Sequence, residues 1–238
     1  MSEEIKKQWS EETLEAVDKL CLFDDDFMSL VFDRNIEATE YLLNTIFERS
    51  DMKVIEVQRA DSGAVPQRAR FHSAMVDTRM LKEKEKFKEI KDSYVIFITQ
   101  NDVMKGDLPL YHVERVVKEQ NRDFGDGSHI IYVNGAYKND DTEIGRLVHD
   151  FGCVRAADMY NEILKKQVHY FKETEGGREV VCQIIDDVAE SRADAKVQSI
   201  IAEMLNDFEP VEKIKKYTGV SKDKIIELAK SIGVSPVL

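Results

Sequence analysis

The chain has 238 residues, enough to bury the core of one domain with an appendage or of two small domains. With 42% hydrophobic and 34% charged residues it has the composition of a folded, soluble protein, and a net charge of −12 excludes a protein that coats nucleic acid by neutralising phosphates. The longest apolar run, Tyr94-Val95-Ile96-Phe97-Ile98, is too short to cross a bilayer, the polar N-terminus lacks signal-peptide character, and Cys21, Cys153 and Cys182 share no metal-ligand spacing, so free thiols in a reducing cytoplasm and no membrane partner are expected.

Residues from about Ser10 to Arg49 read as helical. Ser10 is a cap candidate, Asp24-Asp25-Asp26 opens a second helix at Phe27, and Asn35 caps a longer one in which Ala38, Tyr41, Leu42, Thr45 and Ile46 recur at helical spacing. A short strand, Val54-Ile55-Glu56-Val57-Gln58, leads through Ser62-Gly63 to a helix expected over 67–90. A buried strand follows from Tyr94 to Thr99, then one alternating strand over 110–117, a turn at Asp126-Gly127 and a strand over 129–133. That order implies a small mixed sheet with a helix packed on it.

Beyond Thr142 the chain reads as helical, with one helix over 159–171, an interruption at Gly176-Gly177 and a long polar helix over 178–208. The tail from Val211 to Lys230 holds six lysines (213, 215, 216, 222, 224, 230) against three acids (Glu212, Asp223, Glu227), a local balance of +3. Two short helices about Thr218-Gly219-Val220, the second capped by Ser221, match a helix-turn-helix outline. A solvated two-helix hairpin with Lys222 and Lys224 exposed is the plainer reading, because so short a hairpin has little core of its own.

The chemistry concentrates on the strand at 54–58. Strand side chains alternate faces, so Glu56 and Gln58 point the same way. A carboxylate and an amide on one face, with Arg68 and Arg70 just beyond, could hold a divalent metal against a phosphate. The plainer fate of Arg68 or Arg70 on so acidic a chain is a surface ion pair. His112 with Glu114, and His149 with Asp150, are weaker candidates, because neither pair has a nucleophile or third ligand evident beside it.

An ordered series of segments carries a family resemblance. It comprises Asp24-Asp25-Asp26-Phe27-Met28 with Val31-Phe32, Glu56-Val57-Gln58-Arg59, Arg68-Ala69-Arg70-Phe71-His72-Ser73 with Asp77, and Tyr94-Val95-Ile96-Phe97-Ile98-Thr99. It continues through Leu108-Pro109-Leu110-Tyr111, the stretch from Asp126 to Gly135, and His149-Asp150-Phe151. From about Phe23 to Cys182 the chain resembles PD-(D/E)XK nuclease-family transposases of bacteria, related to the Rpn recombination-promoting nucleases. The resemblance implies a restriction-endonuclease-like α/β fold with a helical C-terminal extension. It also implies Mg²⁺-dependent DNA cleavage tied to transposition or recombination, with Glu56 and Gln58 catalytic, Glu56 and Asp25 on the metal, and Arg68, Arg70, Lys222 and Lys224 facing DNA.

The chain departs from the family pattern in one place. A hairpin whose second strand carries the catalytic Asp is missing, since Arg49-Ser50-Asp51-Met52-Lys53-Val54 runs straight into Ile55-Glu56. Asp51 does not replace that acid: on a continuous strand it faces away from Glu56 and lies about 17 Å off, at about 3.4 Å per residue. Asp25 is the better second acid, set against its plain role in a helix first turn. The expected organisation is an N-terminal helical segment (1–22), a nuclease-like domain (23–174) shortened near 51–55, a polar helix (175–209) and a basic two-helix tail (210–238). The expected function is an impaired Mg²⁺-dependent DNA endonuclease. The alternatives are an inactive relative that binds DNA or pairs with an intact copy as a homo-oligomer, and an interaction protein that uses the polar helix.

Overall fold

The computed structural model describes residues 9–48, 64–81 and 86–237. The strand expected over 54–58, with Glu56 and Gln58, lies outside them, as does Asp51. The chain is mixed α/β: among the described residues nine α-helices accompany a three-stranded mixed sheet and a separate two-stranded hairpin. It divides into two compact units, Met1–Val181 and Cys182–Leu238.

Local signals explain the helices of the first unit. Helix α1 (Glu11–Lys19) begins where the Ser10 side chain accepts the Thr13 N–H, which satisfies one of the donors every helix start leaves open. Helix α2 (Asp25–Phe32) buries Phe27, Val31 and Phe32. In α3 (Ile36–Phe47) the Asn35 side chain accepts the Ala38 N–H, and Ala38, Leu42, Thr45 and Ile46 form the buried stripe. Phe23 and Phe32 meet Phe151 at ring-centroid distances of 5.7 and 6.0 Å. Phe27 meets Phe171 edge-on at 6.5 Å, so aromatic packing joins the first helices to those that follow the sheet.

Helix α4 (Pro66–Met80) opens with proline in its first turn, where the missing N–H costs nothing. It stops ten residues before the expected end. Leu81 takes extended backbone angles (φ −90°, ψ 114°) and ends the helix, its N–H bonded to the Asp77 carbonyl. A 3₁₀ turn at Phe87–Glu89 then leads to the sheet.

The sheet runs in the order β1 (Ser93–Thr99), β5 (Ser128–Asn134), β2 (Leu110–Val113). β5 is parallel to β1 and antiparallel to β2. Val95, Phe97 and Tyr132 share one face, with Phe97 stacked on Tyr132 at 5.0 Å. The alternating stretch over 110–117 is two strands rather than one. β2 ends at Val113, and β3 (Val116–Val117) leaves the sheet to pair with β4 (Arg122–Asp123). The split falls at Glu114, whose carboxylate meets His129 Nδ1 at 2.8 Å.

Helix α5 (Glu143–Gly152) is capped by Thr142, and α6 (Glu162–Glu173) by Asn161, whose side chain accepts the N–H groups of Ile163 and Leu164. Helix α7 (Glu175–Asn206) starts before the glycine pair instead of after it, and the break falls at Thr174. The boundary between the two units falls within α7.

In the second unit, Ile201 and Leu205 of α7, Val211 and Ile214 of α8 (Val211–Thr218), and Ile225 and Ala229 of α9 (Lys222–Ser231) make one buried cluster. The end of α7 therefore supplies the core that a two-helix hairpin lacks. Gly219 terminates α8 at φ 72°, a left-handed conformation that favours glycine. No helix among the described residues is long and apolar enough to cross a membrane.

Candidate functional site

Arg68 and Arg70 sit in the early turns of α4. Between them Ala69 is fully buried against Val95, Phe97 and Tyr132. One turn on, buried Ser73 donates its hydroxyl to the Ala69 carbonyl at 3.1 Å, and further along Ser93 of β1 donates to Asp77 at 3.4 Å. This face seats the helix on β1. The arginines flanking Ala69 consequently diverge. Arg68 is half-buried and donates Nε–H to His72 Nε2 at 3.3 Å, while Arg70 is exposed. Phe71, 60% exposed, lies beside them.

Asp25 stands in the first turn of α2 next to Asp26, half-buried, where the helix dipole favours a negative charge. Asp24 precedes the helix, but its carboxylate turns back to accept the Cys21 N–H at 2.7 Å and caps no helical N–H. Glu56 and Gln58 lie outside the described residues, so of the expected metal ligands Asp25 alone is placed. Mg²⁺ takes oxygen ligands in a near-octahedral array. Asp25 belongs to no group of three His, Cys, Asp or Glu side chains among the described residues, and those residues by themselves do not make a Mg²⁺ site.

In the tail, Lys222 lies 3.6 Å from Glu212, and Lys213 pairs with Glu209 at 2.6 Å. Lys224 is exposed on α9, but Asp223 and Glu227 are exposed with it. The outer surface of this helix is thus mixed in sign instead of a basic stripe.

The described residues do gather one group of three ligating side chains: His149, Asp150 and Cys153, with donor atoms all within 4.8 Å of one another. His149 and Asp150 lie in the last turn of α5, and Cys153 is its C-cap. His149 Nδ1 is 3.4 Å from Asp150 Oδ1 and 3.6 Å from Cys153 Sγ. Asp150 is fully buried, and its two oxygens accept the N–H groups of Tyr160 at 2.7 Å and Asn161 at 2.8 Å. The Tyr160 ring lies over the imidazole at 4.5 Å and its hydroxyl donates to Asp140 at 3.2 Å. Burial, and then the nearby Asp150 carboxylate, push the Cys153 thiol up to about 11. It is therefore protonated at neutral pH and a poor nucleophile as it stands.

A third side chain able to ligate a metal does accompany His149-Asp150, contrary to expectation. Its signal in the sequence is the spacing His149-x-x-x-Cys153, one helical turn. Weighing the cysteines only against one another conceals it.

No family model, curated protein or solved structure matches the chain.

Proposed function

We propose that the chain is an impaired relative of the PD-(D/E)XK DNA nucleases, one that contacts DNA through the start of α4 without cleaving it efficiently. The observation that carries this reading is the seating of α4. Ala69 packs on β1 beside the parallel pair β1–β5, and this presents Arg70 to solvent with Arg68 beside it. An exposed guanidinium at Arg70, with the half-buried Arg68 two residues before it, suits the phosphate backbone, which accepts charge-assisted hydrogen bonds from such groups. The resemblance carried by the ordered segments from Asp24 to Phe151 supports the family reading, and the lack of room for an acid-bearing hairpin between Arg49 and Glu56 supports the reading of impairment.

Binding to duplex DNA at low salt tests the reading. The native chain should shift DNA in a gel, and the double substitution Arg68→Ala, Arg70→Ala should weaken binding for every sequence tried. The slope of log affinity against log salt should shrink by about one for each phosphate that the variant no longer neutralises. Removing the residues after Pro210 should leave affinity unchanged, because the exposed lysines of α9 are interleaved with acids. Supercoiled plasmid should remain intact with Mn²⁺. Nicking that disappears in Glu56→Ala would replace this reading with that of an active nuclease, and no binding at low salt would remove the DNA role.

A further inference from the structure

We propose that His149, Asp150 and Cys153 form a three-ligand site for a Zn²⁺-class cation, with the fourth position left to solvent. The donor set is one imidazole nitrogen, one carboxylate oxygen and one thiol sulfur, a combination that suits Zn²⁺ and does not suit Mg²⁺ or Ca²⁺.

The two separations that involve the imidazole are already close to tetrahedral edges. With metal–sulfur bonds of about 2.3 Å and metal–nitrogen or metal–oxygen bonds of about 2.0–2.1 Å, tetrahedral edges come to about 3.6 Å for nitrogen to sulfur and about 3.4 Å for nitrogen to oxygen. The corresponding separations here are 3.6 Å from Nδ1 to Sγ and 3.4 Å from Nδ1 to Oδ1. The third pair, the Asp150 carboxylate and Sγ, lies within 4.8 Å, and binding would close that edge toward about 3.6 Å.

The surroundings hold the ligands in place. Two backbone N–H groups fix the Asp150 carboxylate, one on each oxygen, and a carboxylate oxygen can accept a further partner. The Tyr160 ring packs against one face of the imidazole at 4.5 Å. Asp150 and Cys153 are buried, whereas the His149 side chain is 33% exposed. The ion would enter past the histidine. It would displace the thiol proton and any proton on Nδ1, releasing them to solvent.

The test uses the full chain, stripped with a chelator and titrated with Co²⁺ as a spectroscopic stand-in for Zn²⁺. A thiolate-to-cobalt charge-transfer band should grow to one equivalent per chain and disappear when Zn²⁺ is added. Cys153→Ser should abolish the band. His149→Gln, at a partly exposed position, should keep the circular dichroism of the native chain and bind at least about tenfold more weakly, since loss of even a partner that only orients a ligand costs about that much. Cys182→Ser and His169→Gln should titrate like the native chain, since neither residue belongs to the group. No band in the native chain, a band that survives Cys153→Ser, or equal affinity in folded His149→Gln would each overturn the proposal.

Discussion

At the scale of single residues, Asp150 shows how a buried charge is made tolerable. Its carboxylate is out of contact with water and would be costly to bury alone. The N–H groups of Tyr160 and Asn161 compensate it and, in return, fix the turn that starts α6. An asparagine at this position keeps the shape but has one accepting oxygen and one amide nitrogen. One of the two N–H groups then faces a donor, so Asp150→Asn should lower stability by about 2–3 kcal/mol. Urea unfolding followed by circular dichroism measures this, and an unchanged midpoint would show that the carboxylate does not hold the turn. Such a role is invisible in the sequence because the partners lie ten and eleven residues away. What was legible at this scale was local: Ser10, Asn35 and Ser221 all cap helices as their residue types and positions indicated.

Among the elements, the junction between α6 and α7 is the sharpest. Gly176 and Gly177 read as a chain break, yet both lie inside α7. Their environments differ. A Cβ on Gly177 would stand 2.1 Å from the Tyr170 carbonyl oxygen and 2.7 Å from its carbon, backbone atoms that cannot yield, whereas nothing lies within 4 Å of one on Gly176. Gly177 is thus present because the end of α6 comes against the start of α7. Gly176→Ala should raise stability by about 0.5–1 kcal/mol, the ordinary gain for alanine over glycine in a helix. Gly177→Ala should lower it, by an amount exceeding that gain. Thermal unfolding of the two variants compares them directly, and equal shifts would show that the close approach is relieved. A sequence shows the glycine pair but not which backbone each one meets. The strand at 94–99 was legible because it is an unbroken apolar run. The stretch over 110–117 misled because its alternation continues past Val113, while the interaction of Glu114 with His129 arises only in the folded sheet.

For the molecule as a whole, the division into Met1–Val181 and Cys182–Leu238 has a thermodynamic consequence. All six buried residues of the second core cluster, from Ile201 to Ala229, come from the second unit itself. A chain of this size buries a smaller fraction of its surface than a larger domain and is correspondingly marginal. The fragment from Cys182 to Leu238 should still be helical and melt cooperatively, and Ile214→Ala within it should abolish the transition, because a cavity in a core costs about 2–5 kcal/mol. Calorimetry of the fragment decides this; a gradual, non-cooperative loss of helix would show that the cluster is not self-sufficient. The mixed α/β class and the helical C-terminal region were legible in the sequence. The three-helix core of the second unit was not, because the apolar side of α7 near Ile201 is short within a long polar helix.

The order of the sheet also bears on how the protein is made. β5 lies in the middle yet emerges from the ribosome after both of its neighbours, and β1 and β2 share no hydrogen bonds with each other. Until Asn134 has been synthesised, neither earlier strand has its partner among the described residues. Nascent chains halted before β5 has cleared the ribosome would expose Val95, Phe97 and Tyr111 to chaperones or to one another, whereas its emergence would let the sheet close.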